Sequence, residues 1–211
     1  MNRHSRRFMK LLVILFLISI SQYASGGQTP ALHQAAAEGD LRMVRQILQQ
    51  QPTIDTLDRL QQTALMVAAA NGHLRVTRFL VRRNADLHRK NFMGETALML
   101  AVQNGQTNMV KWLLRRGGKP NDTDNKGWTA LMLSTSVEIS QLLIKHGANV
   151  NHHVEGKGYT PLMVAAEEGH AALVKLLLSN GANKILTDIN DRCAAHFARE
   201  QGHMQVLEIL Q

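Results

Sequence analysis

Two hydrophobic patterns alternate along most of this chain. One is a short run dense in alanine, such as Leu65-Met66-Val67-Ala68-Ala69-Ala70. The other places apolar residues at i, i+4 and i+5, as in Met43/Ile47/Leu48, Val76/Leu80/Val81, Met109/Leu113/Leu114 and Leu173/Leu177/Leu178. The second spacing predicts a helix with one buried stripe. The first predicts a short helix whose small side chains let neighbouring elements come close.

The two patterns recur together at a fixed distance. Thr63-Ala64-Leu65-Met66 returns as Thr96-Ala97-Leu98-Met99, Thr129-Ala130-Leu131-Met132 and Thr160-Pro161-Leu162-Met163. With the Leu as anchor, Leu32 and Ala195 extend the series, at intervals of 33, 33, 33, 31 and 33 residues. Such a period is the mark of stacked structural repeats. Six are predicted, spanning approximately 28–60, 61–93, 94–126, 127–157, 158–190 and 191–211. In each, Thr is expected to cap the first helix, and Pro161 sits where a first helical turn tolerates it. Gly39, Gly72, Gly105, Gly169 and Gly202 each follow their anchor by seven residues, where the chain must turn back with positive φ. Gly117, Gly147 and Gly181 end second helices, and a segment rich in Asp and Asn then leads to the next Thr as a projecting hairpin, or finger.

These residues resemble a known family. Thr160-Pro161-Leu162-Met163-Val164-Ala165-Ala166-Glu167-Glu168-Gly169-His170 follows the ankyrin-repeat pattern T-P-L-H-x-A-A-x-x-G-H except at Met163, and Leu176-Leu177-Leu178-Ser179-Asn180-Gly181-Ala182-Asn183 follows L-L-L-x-x-G-A-[DN]. The likeness covers about residues 29–211. It implies an all-α repeat solenoid of helix-turn-helix units joined by projecting hairpins. First helices and fingertips would line a concave groove that binds other proteins, and second helices would form the convex back. Unit one has Gln51 where Gly would end its second helix, and unit six stops at Gln211; both read as caps.

Unit four breaks the pattern. Leu131 and Gly147 are 16 residues apart, against 19 for Leu98 and Gly117, and the missing three are the x-Gly-His turn. Ser134-Thr135-Ser136 must turn the chain instead. The next finger, Asn151 to Thr160, is one residue longer than its equivalents and carries Gly156 and Gly158. A shortened helix beside a lengthened finger is expected to open a partner-specific notch; neutral drift in a tolerant loop is the competing reading.

Residues 1–26 have a different character. Arg3, Arg6, Arg7 and Lys10 precede an apolar run from Leu11 to Ile20, followed by Ala24-Ser25-Gly26. That order reads as a secretory signal peptide cleaved after Gly26. The run is short for a bilayer span, which needs about 20 apolar residues; retention as a membrane anchor is the alternative. Ser5-Arg6-Arg7-Phe8-Met9-Lys10 also resembles a twin-arginine export signal, with general secretion the simpler route. A periplasmic or secreted location follows, with membrane contact expected only if the segment stays attached.

The leader changes the charge balance of the rest. The 211 residues hold 24 Lys+Arg and 16 Asp+Glu. Removing four leader bases leaves 20 against 16, a net +4, which weakens a nucleic-acid reading. A hydrophobic content of 45% suits a packed globular chain. Cys193 is the sole cysteine, so no internal disulfide can form and stability must come from packing.

Reactive chemistry is sparse. No phosphate loop, nucleophile elbow or metal signature occurs, so no enzyme, cofactor or metal is expected. Met66, Met99, Met132 and Met163 stand where the family has His; a copper- or oxidant-capturing ladder in a stress protein is weighed against core packing, which Met suits. His33 and His196 keep the family residue and are expected to bond locally. His152-His153, on an extended finger, should point to opposite sides. Arg75, Arg78 and Arg82 share a face, and Arg45, Arg78, Lys111 and Lys175 recur at one position of their units. They form either a solvated convex face or a stripe for acidic lipid or an acidic partner.

The strongest functional signal lies on the fingers. Phe92 and Met93 fall at the tip of the third unit, Trp128 at the start of the fourth and Tyr159 at the start of the fifth; the resemblance implies that these positions project into the groove, where large apolar groups suit a protein interface. Arg59, Leu60, Gln62, Glu95, Gln103, Asn104, Asn125, Lys126, Glu167 and Glu168 are expected to surround them. Packing of the aromatics onto neighbouring fingers is the competing explanation. The expected protein is a monomeric binder of another protein, as an envelope adaptor or as an immunity protein against a periplasm-acting toxin.

Overall fold

The computed structural model describes residues 31–50 and 53–211; the leader and Gln51 lie outside the described residues. Apart from one isolated bridge between Thr123 and Thr129, regular structure there is entirely helical. Twelve helices among the described residues form six antiparallel pairs: α1 Ala31–Glu38 and α2 Leu41–Gln50, α3 Ala64–Ala70 and α4 Leu74–Arg82, α5 Ala97–Gln103 and α6 Thr107–Arg115, α7 Ala130–Leu133 and α8 Val137–Lys145, α9 Pro161–Glu167 and α10 Ala171–Ser179, α11 Ala194–Glu200 and α12 Met204–Leu210. Consecutive first helices touch all along the described stack, and second helices touch between units one and two, three and four, four and five, and five and six, giving two parallel layers.

First helices form the inner layer because most of their surface meets other helices. In α5 every residue from Ala97 to Val102 is buried, and α9 is buried from Pro161 to Ala166. Ala68, Ala101 and Ala198 show no exposure, so a larger side chain there would push two units apart. Thr63, Thr96 and Thr160 start their helices as expected, each Oγ1 accepting the N–H three residues on at 3.3 to 3.4 Å. Thr129 caps nothing in this way, and its buried Oγ1 has no hydrogen-bond partner.

Second helices are amphipathic, and their buried stripe shows which neighbour each residue meets. Interior α6 buries Met109, Val110 and Leu113. At the head of the described stack α2 buries Val44 and Leu48, while Met43 is 44% exposed. At the other end α12 buries Val206 and Leu210 and leaves Leu207 half-buried. The expected Met43/Ile47/Leu48 stripe is therefore corrected. Met43 and Ile47 occupy positions that face the preceding unit in the interior, and only the side toward the next unit is sealed.

Between the two helices of a unit, Gly39, Gly72, Gly105, Gly169 and Gly202 adopt φ of 67° to 75°. The residue after the glycine returns its N–H to the first helix, as in His203 to Ala198 C=O at 2.8 Å. Glycine also makes room for the next repeat. His73 Nε2 donates to Ala37 C=O at 2.7 Å and His203 Nε2 to Glu167 C=O at 3.1 Å, each crossing 36 residues. A Cβ on Gly39 or Gly169 would sit 2.5 Å from the arriving imidazole. Gly105 meets nothing within 4 Å, because unit four lacks the residue that would cover it.

That contrast is measurable by urea unfolding. Gly105→Ala should cost only the left-handed backbone strain, about 1–2 kcal/mol. Gly169→Ala should cost about 1 kcal/mol more, through displacement of His203 from its carbonyl. Equal losses would show that the imidazole contact contributes nothing.

Candidate protein-binding surface

The fingers are built by a device that repeats with the helices. Asp58, Asn91, Asp124 and Asp188 each stand seven residues before their anchor. Each side-chain Oδ1 accepts two N–H groups, two and four residues on; for Asn91 these are Met93 and Glu95, both at 2.9 Å. Each backbone then closes the hairpin, as Asn91 N–H does to Glu95 C=O at 3.0 Å. Oxygen-bearing short side chains suit such turns. Their shared place, seven residues before each anchor, could have revealed them in the sequence.

Successive fingertips are joined by backbone. Phe92 N–H donates to Leu60 C=O at 2.9 Å, Asn125 N–H to Met93 C=O at 3.0 Å, and Ile189 N–H to Lys157 C=O at 3.2 Å. Asn125 Nδ2 adds a bond to Phe92 C=O at 2.9 Å. At the irregular finger a side chain makes the link instead, His152 Nε2 to Gly127 C=O at 2.9 Å. The tips thus form one braced row.

The finger roots lean on the first helices. Glu95 Oε1 accepts from Gln103 Nε2 at 2.7 Å, and in unit six Arg192 reaches Glu200 at 3.4 Å from the same two positions. Fingers and exposed ends of first helices therefore share one flank. Gln103 and Asn104 are exposed on it, with Asn104 Nδ2 donating to Leu100 C=O.

Phe92 and Met93 project from the tips, 69% and 46% exposed. Arg59, Asn125 and Lys126 are exposed beside them, and Leu60 and Gln62 are half-buried, with the Gln62 C=O accepting from His33. Glu95 differs from expectation. It is only 7% exposed because Asn91 and Gln103 hold its two oxygens, so its role is to brace the finger. Glu167 and Glu168 are half-buried at the end of α9, where Glu168 lies 3.4 Å from His170 Nδ1.

Trp128 and Tyr159 sit elsewhere. Both are half-buried around a small cluster of Met132, Val154 and Val164. Val154 holds the place of the Asp or Asn in the longer finger, which closes on apolar contact rather than on an Oδ1. The Tyr159 ring also lies 5.2 Å from Phe197, whose other neighbour is the Arg192 guanidinium at 4.5 Å. Packing onto neighbours, the competing explanation, describes these two aromatics. The added residue is absorbed by Gly156 and Gly158, with φ of 68° and 70°. Gly158 is required because Asp188 Cα would lie 2.9 Å from any Cβ.

The shortening of unit four is visible as well. Helix α7 has four residues where α5 and α9 have seven. Ser134 to Ser136 make the turn, and the Ser136 side chain caps α8 by accepting Ile139 N–H at 3.4 Å. A gap results in the row of helix ends, between Gly105 and His170.

Other candidate chemistry resolves into structure. The Met ladder is core: Met66, Met99, Met132 and Met163 are 1 to 3% exposed, and Met66 Sδ accepts Thr63 N–H at 3.4 Å. In unit six His196 Nδ1 takes that bond from Cys193 N–H at 3.2 Å, a local contact as expected. His33 corrects its expectation, because Nε2 reaches Gln62 C=O, 29 residues away, at 2.8 Å. His152 and His153 stack with ring centroids 6.5 Å apart rather than pointing apart, because His152 is drawn toward Gly127. Among the described residues no group of three His, Cys, Asp or Glu is placed to hold a metal, and no helix is long and apolar enough to cross a membrane.

Comparison with known proteins decides the family. A family profile described as ankyrin repeats (3 copies) matches residues 8–91, 32–124, 89–154 and 116–188. The chain belongs to the ankyrin-repeat family. A protein-binding scaffold is the role that family membership implies. Among solved structures, a chain of the complex between a predatory endopeptidase of Bdellovibrio bacteriovorus and an immunity protein is similar, with TM-score 0.78, 26% identity, and coverage of 87% of this chain and 98% of that one. An ankyrin-repeat domain of Acinetobacter baumannii is similar at TM-score 0.75 and 31% identity, covering 85% and 95%. Curated relatives match over the repeats alone. A putative E3 ubiquitin-protein ligase of Arabidopsis thaliana is 37% identical over 75 residues, 35% of this chain and 20% of that protein. A human ARF GTPase-activating protein is 36% identical over 75 residues, 36% of this chain and 10% of its own length. This ankyrin-repeat chain thus spans a fifth or less of those relatives.

Two stability predictions follow from the surface. Tyr159→Ala and Trp128→Ala should each lower stability by about 2–3 kcal/mol, whereas Phe92→Ala should stay within about 0.5 kcal/mol. Denaturant unfolding of the three variants checks this. The second concerns pH. Burial pushes the Asp188 carboxyl up, but hydrogen bonds from the Arg192 side chain and from the Arg192 and Asn190 backbone outweigh it, and the group titrates below its ordinary 3.8. A depressed folded value stabilises above 3.8 and is lost as pH falls through the lower folded value. The melting-temperature advantage of wild type over Asp188→Asn should therefore be full near neutrality and shrink below 3.8.

Proposed function

We propose that this chain is a non-enzymatic ankyrin-repeat scaffold that captures a partner protein in the periplasm or cell envelope, on the flank made by fingers and first-helix ends. One observation carries the reading: Phe92 and Met93 are strongly exposed on tips whose backbone is fixed on both sides. Large apolar side chains left in water on a rigid frame contribute nothing to the core, yet they suit an interface because little order has to be gained on binding. Leu60 widens the apolar patch, and Arg59, Asn125 and Lys126 give it a polar rim. The envelope location rests on the composition of residues 1–26.

A narrower reading has support of its own. The similar Bdellovibrio chain comes from a complex of an endopeptidase with an immunity protein, which favours neutralisation of a delivered toxin over a general adaptor role. The gap at unit four then gives the flank a partner-specific feature.

Photo-crosslinking in intact cells tests the proposal. A photoreactive residue in place of Phe92 or Met93 should give one discrete adduct from the envelope fraction, and Phe92→Ala with Met93→Ala should weaken that complex by more than about 2 kcal/mol. The same probe at Lys145 on the back should not give it. Equal adducts from both sides would refute a finger-borne site. A toxin enzyme in the adduct, inhibited on binding, would single out the immunity role.

A further inference from the structure

The back of the first three units carries cations that pair with no carboxylate among the described residues. Helix α2 contributes Arg42 and Arg45, and α4 contributes Arg75, Arg78 and Arg82, with Arg83 immediately after it. Helix α6 adds Lys111 and Arg115, followed by Arg116. All nine are exposed, and no Asp or Glu lies within the three helices. Ion pairs among the described residues involve only His170 with Glu168 and Arg192 with Asp188 and Glu200. The charge is also uneven along the chain: residues 31–116 hold 12 Lys+Arg against 6 Asp+Glu, and residues 117–211 hold 8 against 10.

Several of the guanidinium groups are held in place. Arg45 and Arg83 lie 5.4 and 5.3 Å from the Phe79 ring centroid, and Arg116 lies 5.5 Å from Trp112. An open depression between α2 and the start of α4 is lined by Arg42, Arg45 and Arg75 together with Gln46 and Gln49. Asp40, the carboxylate at its edge, is occupied as a cap by Met43 N–H at 2.9 Å.

We propose that this basic back docks the protein onto a membrane surface rich in anionic phospholipid, leaving the finger flank free. An acidic protein fits less well. Protein interfaces depend on buried aromatic anchors, and here Phe79 and Trp112 are half-buried with arginines already over their rings. Met43 is the exposed large apolar side chain of the three helices. Attraction to an anionic leaflet needs no matching shape: it accumulates with each surface Lys or Arg and fades within a Debye length of about 10 Å at 0.1 M salt. A convex, acid-free row of cations meets that requirement. This inference goes beyond partner capture and does not depend on it.

Vesicle flotation of the full chain tests it, comparing phosphatidylcholine alone with about one-third phosphatidylglycerol in phosphatidylcholine. The leader is basic as well and prefers the anionic vesicles, so the readout is the difference between wild type and a variant of the back that keeps the leader. Flotation should be stronger with phosphatidylglycerol and should fall as NaCl rises from about 50 to about 500 mM. Combined Arg75→Gln, Arg78→Gln and Arg82→Gln should lower binding more than about tenfold with an unchanged melting temperature and an unchanged Phe92 crosslink. If that variant fails to fold, Arg42→Gln with Lys111→Gln and Arg115→Gln, outside α4, takes its place with the same expected fall. Equal flotation with both vesicles, or an unaffected folded variant, would overturn the proposal. Retention on polyglutamate beads without flotation would do so too, assigning the face to an acidic protein.

Discussion

Every unit of this chain has an apolar side that it cannot cover by itself, and sealing that side against a neighbour governs the rest of the structure. The two ends of the described stack make the constraint visible. Unit one buries Val44 and Leu48, which face forward, and leaves Met43 exposed; unit six buries Val206 and Leu210, which face back, and leaves Leu207 half-buried. Interior units seal both sides. Stability is therefore shared between adjacent units, and a cavity opened in one first helix is felt by the units on either side.

The same neighbour rule explains what the irregular unit does. A histidine after the turn glycine ties units two and six to the one before, at His73 and His203, and Gln106 covers Gly72 from the same position in unit three. Unit four has lost that histidine together with the end of its first helix, so Gly105 is uncovered. The loss is offset nearby. Val154, Trp128 and Tyr159 fill the finger side of unit four with apolar contact, and His152 replaces the backbone link between tips. The stack stays continuous while its flank acquires a gap.

Much of this was legible in the sequence, because a repeat gives several independent readings of one signal. The 33-residue interval, the Thr caps and the positive-φ glycines could each be checked against the others. Side-chain roles on the fingers were harder to read. Phe92 lies six residues before its anchor, at the tip, and is solvent-facing, whereas Trp128 and Tyr159 lie three before theirs, at the finger root, and pack against the Val154 cluster. The root position carries Glu95 in unit three and Arg192 in unit six, both tied back to their first helices, and that inward role appears only when the hairpin closes. Glu95 was misplaced for a related reason. An acid near a fingertip suggests a rim residue until Asn91 and Gln103 are seen to hold both its oxygens.

Opposite faces of a two-layer stack are free to specialise, because the layers share a core but no surface. The finger flank offers rigid tips with apolar side chains among charges of both signs. The outer layer of the first three units offers cations and scarcely any free apolar surface. A protein partner requires shape and desolvated anchors, while a charged leaflet requires only unpaired cations at short range. Sequence changes on α4 can therefore alter electrostatic docking without touching the finger flank, since the residues that join the layers, such as Thr77 and Leu80, are buried and uncharged.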